Sequence, residues 1–145
     1  QTGAYLVPTL MAGDTVVGLA KTTNFMSDAI KTKAIRVGAD MTANFKNSFK
    51  SGVNIAYGTD SGVSPHGENA KEFKLMIDAG MTEKEAILSA TLYAADLLGK
   101  NSEIGTITKG KLADLIGVSK NPLEDITILE TVDFVMKGGD VVKQP

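Results

Sequence analysis

The sequence predicts an α/β fold, with strands and helices alternating through residues 1–100 and mainly strands in residues 101–145. Two short apolar runs, Tyr5–Leu10 and Val53–Tyr57, have the composition of strands. Between them, apolar residues recur every three or four positions, which is typical of an amphipathic helix. A strand, a helix and a strand in this order form a βαβ unit with parallel strands. The glycine-rich tail has period-two patterning, so we expect a domain boundary at Gly99–Ser102.

One long helix is predicted between the two apolar runs. Ser27 is a suitable N-cap, and Gly52 stands where a left-handed C-terminal cap is expected. Residues 11–23 are predicted to form a loop with at most one helical turn, because Gly13 and Gly18 interrupt any regular pattern. The apolar stripe of the helix is expected to pack against the sheet and consists of Ile30, Ala34, Val37, Met41, Phe45 and Phe49.

Two further helices and a β-rich tail follow. The first helix is expected to end at Gly80, and the second to start at a Thr82–Glu85 capping box and continue to Gly99. The expected strands of the tail are 104–107, 113–118 and a hairpin of 134–137 with 140–143, turned by Gly138-Gly139.

Composition and charge restrict the class of partner. The 145 residues carry a formal net charge of -2 and no basic patch with interleaved aromatic residues, which argues against a nucleic-acid partner. No apolar run is long enough to cross a bilayer, so we expect a soluble protein without a membrane partner. Because the chain has no cysteine, the sequence leaves cytoplasm and periplasm open. Gln1 is interpreted as a cut end, since no initiator methionine precedes it.

Asp60 is the first candidate for chemistry. If the strand at 53–57 stays regular, Val53, Ile55 and Tyr57 share one face, and Asp60 lies on the other face at the strand's carboxyl end. In an α/β barrel this position faces the mouth where catalytic groups collect. The alternative is a structural turn, because Gly, Thr, Asp and Ser are also turn residues. Any metal site within this chain would rest almost wholly on carboxylates, which suit Mg or Ca better than Zn, since His66 is the only histidine.

Several motifs resemble, in order, the C-terminal portion of metal-dependent amidohydrolases, most closely the imidazolonepropionase-related branch that includes Xaa-Pro dipeptidase-like enzymes. The resemblance covers nearly the whole chain from Tyr5 onward. Its motifs are Gly58-Thr59-Asp60-Ser61-Gly62, Pro65-His66-Gly67-Glu68-Asn69, Ala79-Gly80-Met81-Thr82 with Glu85-Ala86-Ile87, Ala90-Thr91 with Ala94-Ala95 and Leu98-Gly99, and Gly105 with Gly110-Lys111-Leu112-Ala113-Asp114-Leu115.

The resemblance implies the last two strands and helices of a (β/α)8 TIM barrel, followed by strands of a small β-sandwich. Tyr5–Leu10 would be the seventh barrel strand, Val53–Tyr57 the eighth, and residues 101–145 the return to the sandwich. The family's other metal ligands, a His-x-His pair, two more histidines and often a carboxylated lysine, come from earlier strands. The chain is therefore expected to be a fragment whose partner is the missing N-terminal part of the same enzyme.

The resemblance also implies roles for single residues. Asp60 would bind a divalent metal, expected to be zinc in a mononuclear or binuclear site, and take a proton from the metal-activated water. His66 would orient the substrate carboxylate or contact the metal ligands without binding the metal itself. Alternatively, it would cap the following helix. Apart from the resemblance, residue type and position favour first-turn and capping roles for Glu68 and Asn69 over a role as ligands, and a structural role for Asp114, pairing or turning beside Lys111.

The expected substrate is a small amide or dipeptide. With one metal-ligand position, the isolated chain is predicted to be inactive as a hydrolase. Two alternatives stay open at this point. One is a non-catalytic interaction module, which would self-associate or pair through exposed strand edges. The other is a deaminase of the same superfamily, because this portion does not carry most substrate contacts.

Overall fold

Five α-helices, one 3-10 helix and two small sheets form the part of the chain, residues 3–145, that the computed structural model describes. The expected cut end at Gln1 and Thr2 lies outside it. In chain order the elements are β1 (Tyr5–Leu6), α1 (Leu10–Thr22), α2 (Asp28–Lys50), β2 (Asn54–Ile55), α3 (Lys71–Asp78), α4 (Glu83–Ala90), α5 (Leu92–Leu97), β3 (Leu115–Gly117), the 3-10 helix (Ile126–Glu130), β4 (Phe134–Lys137) and β5 (Asp140–Lys143).

The first sheet is the predicted parallel pair. β1 and β2 run parallel, with Tyr5 opposite Asn54 and Leu6 opposite Ile55. The N–H of Ala56 extends the ladder by donating to the carbonyl of Leu6 at 3.0 Å. The βαβ prediction is confirmed, although each regular strand is only two residues long. The carboxyl ends of both strands therefore lie at the same edge.

Helix α2 has the predicted ends. The Ser27 hydroxyl accepts from the N–H of Ile30 at 3.5 Å, and Gly52 has φ +75°. The predicted stripe is buried only in part, because Phe45 is buried whereas Ile30 and Val37 are exposed. A 23-residue helix is roughly 35 Å long, so a two-stranded pair covers only one end of it.

Residues 10–22 form helix α1, so the predicted loop is wrong. Gly13 and Gly18 both lie inside this helix, and α1 packs against α2 at Gly13 of α1 and Gly38 of α2. A Cβ on Gly13 would lie 2.9 Å from the sulfur of Met41, and one on Gly38 would lie 2.4 Å from Cγ2 of Val17. These two glycines permit close helix packing, which outweighs their poor helix propensity.

The helix predicted from Thr82 to Gly99 is divided in two. Its capping box is present, with the N–H of Glu85 donating to the Thr82 hydroxyl and the N–H of Thr82 donating to the Glu85 carboxylate. The break lies at Thr91, between α4 and α5. Its cause is the Ser89 carbonyl, which accepts from the N–H of Tyr57 at 3.0 Å instead of continuing the helix. A bond to the neighbouring strand thus replaces an intrahelical one.

The tail forms a three-stranded antiparallel sheet in the order β3-β4-β5. The predicted hairpin at Gly138-Gly139 is confirmed, and both glycines have positive φ. The strand predicted at 104–107 is absent, because these residues form bends and an open segment in which Gly105 has φ +91° and Ile107 is 91% exposed.

The core lies between the parallel pair and the helices. Its buried residues are Leu10, Phe45, Ile55, Met76, Ala79 and Met81, with Leu6, Phe49, Tyr57 and Leu75 packed against them. None of the helices within residues 3–145 combines the length and apolar character needed to cross a membrane. The domain division at residue 100 stays a prediction.

Candidate functional site

The carboxyl ends of β1 and β2 share an unusual backbone feature. Thr9 and Asp60 follow these strands, and both are left-handed, with φ of 46° and 49°. Within residues 3–145 they are the non-glycine residues with positive φ. Such a backbone is costly for a residue with a Cβ and persists only where the surroundings hold it, as they often do at functional sites.

Asp60 is exposed at this edge. The regular strand β2 ends at Ile55, so strand alternation does not continue as far as Asp60, whose own backbone is left-handed. The alternation of side chains therefore does not determine which way the Asp60 side chain points. The position of Asp60 after the carboxyl end of the strand agrees with the prediction. The role of Asp60 stays a prediction.

Asn69 joins the two residues that flank Asp60. Its Nδ2 donates to the Thr59 hydroxyl at 3.0 Å and to the Ser61 hydroxyl at 2.9 Å. Those hydroxyls are 3.0 Å apart, and Ser61 Oγ also lies 3.3 Å from Ser64 Oγ. We call Thr59, Ser61, Ser64 and Asn69 the hydroxyl network.

The predicted capping role of Asn69 is wrong, since Ala70 is the N-cap of α3 and the cap has no side-chain hydrogen bond. The residue type before the helix suggested a cap, and its distant partners were not visible in the local pattern. Glu68 keeps a local role, with a carboxylate oxygen 2.7 Å from Lys71 Nζ.

Tyr57 attaches this edge to α3. Its hydroxyl donates to the Asn69 carbonyl at 2.5 Å, and its ring packs on Phe73 with centroids 4.3 Å apart. Burial raises the pKa of Tyr57, and the negative charge of Glu72 raises it further, so the phenol stays protonated and can donate.

Glu72 is a fully buried carboxylate that the sequence reasoning missed. It accepts from the N–H of Leu10 at 2.8 Å and from the N–H of Met11 at 2.6 Å, which are the first residues of α1. Burial raises the pKa of Glu72, while the two backbone donors act in the opposite direction. A usable signal was present, since Glu72 precedes the buried Met76 by four positions and so shares its helix face.

His66 is exposed in the loop before α3. Its alternative role as a cap of that helix is not observed, because α3 starts at Lys71 without a side-chain cap. The structure therefore leaves the predicted role toward substrate untested and removes the local structural one.

The described residues do not form a metal site by themselves. No group of three or more His, Asp or Glu side chains within residues 3–145 is placed to hold an ion. A surface cavity of about 320 Å³ lies among α1, α2 and α3, but neither Asp60 nor His66 lines it. The candidate site is therefore the strand edge at Asp60.

Asp114 is structural, as predicted, but its partner differs. It bonds Lys137 and accepts from the N–H of Gly138 at 2.8 Å, which joins β4 to the chain before β3. The Lys137 ammonium, followed by the Gly138 N–H, lowers the pKa of Asp114. The predicted partner Lys111 instead donates to the carbonyls of Asn101 and Ile104 at 2.6 and 3.1 Å.

Comparisons with known proteins agree with the motifs. A model of the amidohydrolase family matches residues 1–142. Ochratoxinase of Aspergillus niger is 38% identical over 106 residues, 70% of this chain and 22% of that protein. Imidazolonepropionase of Shouchella clausii is 29% identical over 106 residues, 69% of this chain and 24% of that protein.

The same relationship holds in three dimensions. The crystal structure of a Xaa-Pro dipeptidase with bound methionine in the active site has a TM-score of 0.91 and 45% identity, covering 97% of this chain and 35% of that chain. The resemblance inferred from the motifs is confirmed. The chain spans only about a fifth to a third of the length of these relatives.

Proposed function

Because the chain belongs to the amidohydrolase family, we propose that the protein it forms part of hydrolyses an amide bond of a small substrate, with Asp60 at the reacting centre. The observation that carries this proposal is the position of Asp60, a carboxylate exposed in a strained turn at the carboxyl end of a parallel strand. Catalytic groups of α/β folds collect at this end of the strands.

The proposed substrate class is a dipeptide or a related small amide. A Xaa-Pro dipeptidase resembles 97% of this chain at 45% identity, and ochratoxinase is 38% identical over 70% of it. In both relatives, the region that is similar to this chain is only part of a longer protein. The substrate is therefore inferred from relatives, whereas the place of the chemistry is inferred from this chain.

The proposed setting for Asp60 is the mouth of a barrel. β1 and β2 would be its seventh and eighth strands, with residues 101–145 returning to a small β-sandwich. Two features support this arrangement: the strands are parallel, and Val7 and Val53, at the ends of this isolated pair, are each 40% exposed. The exposed apolar surface would then be covered by the N-terminal part of the same enzyme.

In the proposed reaction, a carboxylate oxygen of Asp60 accepts a proton from the water that attacks the carbonyl carbon. The same oxygen then gives that proton to the nitrogen of the leaving amine as the C–N bond breaks. A single carboxylate cannot hold a metal ion by itself, and the residues described in the structure bring together no group of three or more acidic or histidine side chains that could hold one. We propose that Asp60 supplies one ligand of a divalent ion, zinc in the proposed assignment, and that the other ligands lie outside this chain.

Substitution in the intact protein tests the proposal. Asp60→Asn keeps the size and the backbone preference of the residue but removes the base, so hydrolysis of Xaa-Pro dipeptides should fall by at least about a hundredfold. Wild-type activity in this variant would remove Asp60 from the mechanism. Release of ammonia without amide cleavage would indicate the deaminase alternative.

The 145-residue chain provides the second test. We expect no turnover and no stoichiometric metal in the isolated chain, measured by dipeptide assay and metal analysis. Turnover with tightly bound metal would show that the site is complete within this chain. Absence of hydrolysis by the intact protein, with binding of another macromolecule, would favour the interaction module.

A further inference from the structure

We propose that Asn69 is a positioning residue, whose side-chain amide holds the Asp60 carboxylate in its reactive place through the two neighbouring hydroxyls. The inference rests on the proposed function, since it assigns Asn69 a part in the same site. Asn69 has no direct bond to Asp60 among the described contacts and acts through the turn that carries it.

The turn needs an external restraint. Asp60 has φ +49°, and an isolated aspartate samples this conformation only in a minority of its states. Thr59 and Ser61 stand on either side of it, and both accept from the same Nδ2 of Asn69. One amide group therefore fixes the turn at both of its ends.

The direction of the hydrogen bonds makes this arrangement well defined. The amide NH₂ of Asn69 has two protons and can supply one to each hydroxyl. Its Oδ1 accepts from the N–H of Gly67 at 3.3 Å, which fixes the orientation of the amide. Thr59 and Ser61 keep their own protons for the contacts within the hydroxyl network, which ends at the buried Ser64.

Asn69 is itself attached to the core. Its carbonyl accepts from the Tyr57 hydroxyl at 2.5 Å and from the N–H of Glu72 at 3.2 Å. Glu72 in turn bonds the first residues of α1. The hydroxyl network thus connects the turn that carries Asp60 to buried groups on α3, which is the kind of support that a catalytic side chain requires.

The test uses the intact protein and compares Asn69→Ala with Asn69→Asp. Alanine removes both donors, so kcat for the dipeptide substrate should fall at least tenfold while KM changes less than twofold. Aspartate can accept protons from the hydroxyls of Thr59 and Ser61 and so retain the network. Its kcat should therefore exceed that of Asn69→Ala.

Asn121→Ala is the matched control. Its side chain also makes two local bonds, donating to Glu124 and accepting from the N–H of Leu123, each at 3.0 Å, but in the β-rich tail. We expect wild-type kcat from this variant. Amide exchange, followed by mass spectrometry, should accelerate at least tenfold in residues 59–64 of Asn69→Ala and stay unchanged there in Asn121→Ala.

The outcomes separate this proposal from the function on which it rests. Wild-type kcat in Asn69→Ala together with loss of activity in Asp60→Asn would overturn the role of Asn69 and leave the proposed function standing. Activity in Asp60→Asn would overturn both. If the wild-type protein hydrolyses no amide, the proposed function fails. If amide exchange in residues 59–64 is the same in Asn69→Ala as in wild type, Asn69 does not restrain the turn, and this proposal fails as well.

Discussion

The carboxylate of Glu72 on α3 accepts a hydrogen bond from the backbone N–H of Met11 at 2.6 Å, across 61 positions of sequence. Its other oxygen accepts from the N–H of Leu10 at 2.8 Å. Glu72 lies on α3, the helix that follows β2. It accepts hydrogen bonds from the N–H groups of Leu10 and Met11 in the first turn of α1, which follows β1. The segments after both strands are joined by one buried side chain.

Glu72→Gln should destabilise the protein by about 1–3 kcal/mol, because a glutamine offers one acceptor to two backbone donors and leaves a buried N–H unsatisfied. Urea unfolding measures the difference. Glu83→Gln, on the first turn of α4 and half-buried, is the control and should have little effect. Equal unfolding midpoints for Glu72→Gln and wild type would contradict the proposed connection.

The pH dependence of that difference follows from the pKa of Glu72, which burial raises above its ordinary value of 4.5. The folded state then holds the proton more tightly than the unfolded state, so the stability due to this shift is fully present below pH 4.5 and falls as pH rises through the folded pKa. The stability that wild type has in excess of Glu72→Gln should therefore be largest below pH 4.5 and decrease as pH rises through the folded pKa, which urea unfolding at a series of pH values measures.

Local sequence signals predicted the elements whose causes are local. The cap at Ser27 and the box of Thr82 with Glu85 lie within three residues of their partners. Helix α1 was missed because its start is capped by Glu72, which lies 61 positions after Met11. No pattern within residues 10–22 could show this acceptor.

The same distinction applies to the candidate site. The strand and the motif were enough to identify Asp60 as a candidate. Its left-handed turn, however, depends on Asn69, and a residue of this type just before a helix is locally indistinguishable from an N-cap. The break at Thr91 likewise depends on the Tyr57 N–H, which takes the Ser89 carbonyl out of the helix. Long-range hydrogen bonds decide both features.

Gly58→Ala should destabilise the protein by about 1–3 kcal/mol through overpacking. A Cβ at this position would lie 2.5 Å from Cγ1 of Val7, a stiff β-branched residue on the chain beyond β1. Thermal unfolding measures the loss, and the double variant Gly58→Ala with Val7→Ala should recover most of it.

Gly62→Ala is the control for Gly58→Ala, because a Cβ there would meet nothing within 4 Å and its φ is not positive. It should leave the unfolding temperature nearly unchanged. If Gly58→Ala is as stable as Gly62→Ala, the strand ends are not packed as closely as the structure describes.

Asp114→Asn should weaken the tail sheet at neutral pH. The pKa of Asp114 is lowered from 3.8 by Lys137 and then by the Gly138 N–H, so its stabilising effect is present above pH 3.8 and is lost as pH falls through the folded pKa. Amide exchange in residues 134–143 should be faster in the variant at pH 7 than in wild type, and the two should converge in acid. The control is Asp140→Asn, at an exposed position on the same hairpin, which should match wild type at every pH. If Asp114→Asn still differs from wild type in acid, the ion pair with Lys137 is not the cause of the difference.

Three substitutions of Asp60 separate the carboxylate from the backbone that carries it. Asparagine tolerates the left-handed conformation and should leave the unfolding temperature unchanged, glycine should equal or exceed wild-type stability, and alanine should cost about 1 kcal/mol, since φ is +49°. All three remove the base, so all three should lose amide hydrolysis in the intact protein by at least about a hundredfold. Paired unfolding and dipeptide assays measure both properties. Activity that followed stability, with glycine the most active and alanine the least, would show that Asp60 serves the turn and not the reaction.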